Sequence, residues 1–135
     1  MPAADRPTFA TPQDLAVPAG YAHVVSMPPG RLVWTSGQIP LDADGRVPEG
    51  WEAQARLAFA NVGRALAGVG ATWRDVVKLS LFVTGLDELA TIRAVRDEHV
   101  DTANPPTSSL VQVAGLVRPE LLLEVEAVAW LPPAS

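Results

Sequence analysis

Residues 121–130 (LLLEVEAVAW) alternate so regularly that they commit the chain to a strand with two unlike faces. Leu121, Leu123, Val125, Ala127 and Ala129 form one apolar face, suited to packing under helices. Leu122, Glu124, Glu126, Val128 and Trp130 form the other, where carboxylates stand beside large apolar groups. A solvated sheet face has no reason to carry Leu, Val and a terminal Trp. The second face is therefore expected to pack against another subunit.

The elements before that strand supply its partners. Residues 75–84 (DVVKLSLFVT) also alternate, with Val77, Leu79, Leu81 and Val83 expected on one side and Lys78, Ser80 and Phe82 on the other. Residues 49–70 carry Ala55, Phe59, Val62, Leu66 and Val69 at helical spacing, with Gly68 and Gly70 as stop signals. Residues 86–100 predict a second helix whose apolar stripe (Leu86, Leu89, Ile92, Val100) also takes in Arg93 and Arg96. Two short β-rich runs, 21–26 and 31–36, flank Met27-Pro28-Pro29-Gly30 and predict a hairpin. With a strand over 107–114 the order becomes ββαβαββ, an α+β domain with both helices on one face of a sheet. Residues 1–19, rich in Pro and Ala, read as an N-terminal arm, and residues 20–132 as the single domain.

Charge and composition narrow the function. Ten Lys and Arg against fifteen Asp and Glu leave a net charge of −5, and no basic stripe runs along any element. Nucleic acid is not an expected partner. With no cysteine and two histidines, His23 and His99, far apart, the sequence offers no metal-ligand spacing, and no metal is expected. No apolar run approaches the roughly 18 residues of a membrane span, so no membrane partner is expected. The N-terminus has no basic segment leading into an apolar one, so the expected compartment is the cytoplasm.

Several stretches, in order, resemble the YjgF/RidA family from Tyr21 to Trp130. They are Val33-Trp34-Thr35-Ser36-Gly37-Gln38-Ile39-Pro40, Gln54-Ala55-Arg56 with Asn61-Val62, and the run 75–92 (DVVKLSLFVTGLDELATI). Val111-Gln112-Val113-Ala114 and Glu124-Val125-Glu126-Ala127-Val128-Ala129 complete the set. The resemblance implies a chorismate-mutase-like fold and a homotrimer with a barrel-like centre and small-molecule clefts between subunits. It also implies cofactor-free hydrolysis of enamines or imines derived from amino acids to ammonia and a 2-oxo acid.

Carried over position by position, the resemblance makes Tyr21 a cleft residue and Ser36-Gly37 a cleft-lining turn. Glu124 becomes the carboxylate that orients or activates water. Ser108 falls where relatives carry a carboxylate-binding arginine, and Leu110 where many have a small or polar cleft residue. Serine cannot offer the bidentate fork of arginine. The expected substrate is therefore not the usual 2-aminoacrylate type. Arg93 on the second helix and Arg118 in the loop before the last strand are the candidate replacements. The alternative for Arg93, shared with Arg96, is that both reach the helix edge and pair with Asp97 or Glu88. The alternative to a hydrolase is a non-catalytic small-molecule binder that keeps the trimer and the cleft.

Overall fold

A computed structural model describes residues 3–134; residues 1 and 2 of the expected arm, and residue 135 beyond the expected domain, lie outside the described residues. The chain forms β1 (Thr8–Ala10), β2 (Val24–Ser26), β3 (Arg31–Trp34), α1 (Trp51–Ala67), β4 (Val76–Val83), α2 (Leu89–Asp97), β5 (Thr107–Gln112) and β6 (Leu123–Leu131). The expected ββαβαββ order is present from β2 onward, preceded by one strand in the arm.

Four strands make the main sheet in the order β3-β6-β4-β5. β4 runs antiparallel to β6 and parallel to β5, with α2 as the crossover. The apolar face of β6 lies under the helices as its alternation requires: Leu123, Val125, Ala127 and Ala129 are buried with Phe59, Val62 and Leu66 of α1 and Ile92 and Val95 of α2. α1 ends before Val69, which is 58% exposed and adds nothing to the helix stripe. An exposed ion pair ties the helices together: both Arg56 Nη atoms donate to the Glu98 carboxylate.

The expected hairpin between 21–26 and 31–36 does not form. β2 instead pairs with β1 of the arm, Phe9 opposite Val25, while β3 pairs with β6. The physical reason lies in Val77, Val128 and Trp130, an apolar cluster on the sheet face away from the helices, which Phe9 and Val25 cover. Trp130 also donates its indole N–H to the Pro28 carbonyl at 3.1 Å. The end of the mixed face of β6 is thus covered within the chain by Phe9 of the arm and Val25 of β2.

Val77 is on that face because β4 is irregular. Its register against β6 shifts between Val76 and Lys78, so Val76 enters the helix-side core and Val77 turns the other way. The expected placement of Val77 with Leu79, Leu81 and Val83 is corrected accordingly. No described helix is long and apolar enough to cross a membrane.

Candidate functional site

Ala22 bridges Thr107 in parallel and its N–H reaches the Pro106 carbonyl at 3.1 Å, so the segment entering β2 runs along the free edge of β5. This edge contact sets Tyr21 beside β5, while the crossover sets α2 above it. The result is a cavity of about 240 Å³ lined by Ala19, Tyr21, Leu81, Ile92, Arg93, Arg96, Ser108 and Leu110. Four residues named from the sequence, Tyr21, Arg93, Ser108 and Leu110, meet there. Ser108 and Leu110 face the helices because they stand opposite the core residues Leu79 and Leu81 of β4.

The cavity also contains Arg96, which is expected at the helix edge. Arg96 does pair with Asp97, its Nε donating to Oδ1 at 2.9 Å, but its side chain is only 10% exposed. A surface pairing role therefore accounts for only part of its position. The signal was in the sequence: Arg96 lies on the same stripe as Ile92, and a long cation on a core-facing stripe needs a polar place to end.

Glu124, Ser36 and Gly37 are elsewhere. Glu124 alternates with the core residues Leu123 and Val125, so its half-buried side chain is on the face away from the helices. The chain after β3 stays bonded to β6: Thr35 N–H donates to Ala127 at 3.0 Å, and Gln38 and Val125 exchange bonds of 2.7 and 3.0 Å. Between those anchors Ser36 and Gly37 together oppose the single residue Glu126, a bulge that lays Gly37 against Glu124. A Cβ on Gly37 would fall 2.7 Å from Glu124 Cδ and 2.9 Å from its Cγ. Only glycine leaves the carboxylate where it is.

The structure places the remaining candidates outside both groups. Arg118 donates to Glu120 Oε1 at 2.6 Å and to the Gly45 carbonyl at 3.3 Å, which holds it on the loop before β6. The Glu120 carboxyl is held below its usual range, first by a backbone hydrogen bond and then by Arg118. Glu126 borders a surface depression with Met27, Leu32, Trp34, Lys78 and Ser80. His23 Nε2 lies 2.6 Å from the Ala16 carbonyl and His99 Nδ1 lies 3.0 Å from that of Val95. Among the described residues no group of three or more His, Cys, Asp or Glu could hold a metal ion.

The cavity is suited to a small molecule with an anionic end and an apolar body; Glu124 is suited to hold a water. Comparison with known proteins adds context to this geometry. Residues 11–131 match the family model described as Endoribonuclease L-PSP. The 2-iminobutanoate/2-iminopropanoate deaminase of Salmonella typhimurium is 36% identical over 125 residues, covering 90% of this chain and 95% of that protein. Among solved structures, the Rid-family protein YyfB of Yersinia pestis, itself of unknown function, aligns with a TM-score of 0.81 at 31% identity over 93% of this chain and 99% of that one. Escherichia coli TdcF with bound serine aligns with a TM-score of 0.69 at 36% identity, covering 91% and 97% of the two chains.

Proposed function

The chain belongs to the Endoribonuclease L-PSP family, the YjgF/RidA proteins, and on that premise we propose that it is a cofactor-free enamine/imine deaminase. Its reaction takes place in clefts between the subunits of a homotrimer, in the cytoplasm. The observation that carries this reading is the separation of two half-sites. Tyr21, Arg93, Ser108 and Leu110 line a cavity on the helix side of β5, whereas Glu124 and Gly37 meet on the opposite face of the sheet. A neighbouring copy completes the site by setting its Glu124 beside this cavity.

In that cleft the Glu124 carboxylate takes a proton from water as the water oxygen bonds to the C=N carbon, and passes that proton to the nitrogen. The resulting carbinolamine returns a proton to nitrogen, the C–N bond breaks, and ammonia leaves as the C=O group forms. An enamine enters the same sequence once its β-carbon gains a proton and its nitrogen loses one to solvent, giving the imine. Tyr21 and Ser108 offer hydroxyls to orient the substrate, and nothing in the sequence of steps needs a redox or electrophilic cofactor. The serine bound to E. coli TdcF supports a small-molecule ligand for this chain as well.

Ser108 supports a substrate other than 2-aminoacrylate, because a hydroxyl on β5 cannot grip a carboxylate as an arginine there would, so any carboxylate has to be held from another element and placed differently. It also favours the second reading, a non-catalytic binder of small molecules. The two are separated by measuring ammonia release from a panel of imines and enamines, with and without a carboxylate. Turnover that the purified trimer sustains establishes the deaminase; binding of oxo acids without turnover on any member establishes the binder.

A further inference from the structure

We propose that Arg96, not Arg93 or Arg118, is the anion-binding residue of the α2–β5 cavity, and that the cavity takes a short-chain carboxylate whose charge rests against α2. The inference rests on the deaminase reading for the reaction but not for the binding. Arg96 is the only buried charged side chain of the described residues, and it ends in the cavity. Its guanidinium is fixed from two sides. Asp97 accepts from Nε at 2.9 Å, which leaves the two Nη groups for another acceptor. Gly20 packs against the other side: a Cβ there would lie 3.2 Å from Cζ and still closer to Nη2.

Gly20 also has φ +80°, a conformation other residues adopt only with strain. The chain thus uses glycine at the one point where a side chain would push the guanidinium out of place. Arg93, by contrast, is exposed and no residue pins it. A pre-set fork loses little freedom on binding, which favours the fixed arginine as the holder and the exposed one as a secondary attraction.

The rest of the lining selects the ligand. Leu81, Ile92 and Leu110 supply apolar wall, and Ser108 and Tyr21 supply hydroxyls. At about 240 Å³ the space suits a molecule of a few carbons, smaller than the drug-sized ligands of larger pockets. A carboxylate on a short hydrocarbon chain satisfies both ends, with a planar anion for the guanidinium fork and carbon for the leucines. Inorganic phosphate would leave the apolar wall without a partner.

The test is calorimetric or NMR titration of the full chain with 2-oxobutanoate, its neutral amide 2-oxobutanamide, and inorganic phosphate. The wild-type protein is expected to bind the acid, with the amide and phosphate each at least about tenfold weaker. Arg96→Gln should weaken the acid by about tenfold to a hundredfold and leave the amide unchanged. Gly20→Ala keeps every charge yet displaces the guanidinium, and should produce the same selective loss; it decides the matter if Arg96→Gln fails to fold. Arg93→Gln should weaken the acid less than Arg96→Gln does. The proposal is overturned if the wild type binds the acid no better than the amide or phosphate, or if acid binding survives both Arg96→Gln and Gly20→Ala. Loss of acid binding only in Arg93→Gln overturns it as well. Ammonia release is read separately: turnover indifferent to Arg96 sinks this inference alone, and Arg96-dependent binding without turnover sinks the deaminase reading alone.

Discussion

Gly37 lies against the side chain of Glu124 so closely that a single added methyl would sit 2.7 Å from the carboxyl carbon. The contact exists because Ser36 and Gly37 bulge between two backbone anchors to β6, at Thr35 and at Gln38. Gly37→Ala therefore has a definite expected outcome. The backbone anchors hold the loop, so the carboxylate has to swing away. Deaminase turnover should fall by about tenfold to a hundredfold, the scale set by misplacing a reacting group by about 1 Å. Thermal unfolding of the variant should shift by only a few degrees. Turnover equal to the wild type would show that the close approach has no bearing on the reaction.

A trimer is expected from surface that one subunit leaves exposed. Trp34 is 71% exposed and Leu32 58%, and both border the same depression as Met27, Lys78 and Glu126. Apolar area of that kind on a small domain calls for cover. Light scattering at micromolar concentration should report about three times 14.3 kDa. Trp34→Glu would set a carboxylate beside Glu126 and should shift the mass toward a single subunit. A wild-type monomer would remove the shared-cleft reading.

Gln54 offers a stability test away from the site. It is 2% exposed, and its amide is fully used: Nε2 donates to the Pro48 and Glu120 carbonyls at 3.0 and 2.9 Å, and Oε1 accepts from Leu122 N–H at 2.8 Å. One side chain thus pins the loops before α1 and before β6. Gln54→Leu leaves those backbone groups without partners and should cost on the order of 2–4 kcal/mol in denaturant unfolding. A loss below about 1 kcal/mol would mean that water replaces the amide.

The core was legible because alternation and helical spacing are local signals. Leu123, Val125, Ala127 and Ala129 are buried as their pattern required, as are Phe59, Val62 and Leu66. Pairing partners were less legible. Nothing in 21–36 records that Phe9 and Val25 cover Val77, Val128 and Trp130, since that pairing is decided by an apolar cluster assembled from distant strands. The irregularity at Val77 likewise leaves no trace in the alternation of 75–84 and shows only in the register against β6. Position in the family pattern brought Tyr21, Ser108 and Leu110 together, and they do line one cavity; Arg96 pairs with Asp97 as expected, but its place in that cavity was not legible in that pattern. Its partner Asp97 was visible in sequence, but its contact with Gly20, 76 positions away, was not.

The Arg56–Glu98 pair gives a pH dependence with a definite sign. Hydrogen bonds from Arg56 hold the Glu98 carboxyl below its ordinary value, and Glu98, followed by Glu52, raises that of Arg56. A carboxyl lowered in the folded state adds stability that is full above its unfolded pKa and is lost as pH falls through the folded one. Both side chains are exposed, so the effect is small and weakens with salt. In Arg56→Gln the Glu98 carboxyl, followed by carbon NMR, should titrate at higher pH than in the wild type. An unchanged midpoint would show that the pair does not persist in solution.

The last expectation separates the two carboxylates that share a face of β6. Glu124 stands opposite Phe82 and beside Gly37; Glu126 stands opposite Ser80 and borders the exposed depression with Trp34 and Lys78. On the proposed function the first meets a neighbour's cavity with a water, while the second borders exposed Trp34 and Leu32. Glu124→Gln, nearly isosteric, should keep the trimer and oxo-acid binding yet lower imine hydrolysis by about a hundredfold or more, the scale of lost general acid–base catalysis. Glu126→Gln should instead alter the concentration at which subunits assemble, with turnover per trimer unchanged. Equal turnover in the wild-type and Glu124→Gln trimers would take the proton-transfer role away from Glu124. Loss of turnover per trimer in Glu126→Gln would move that role to the other carboxylate.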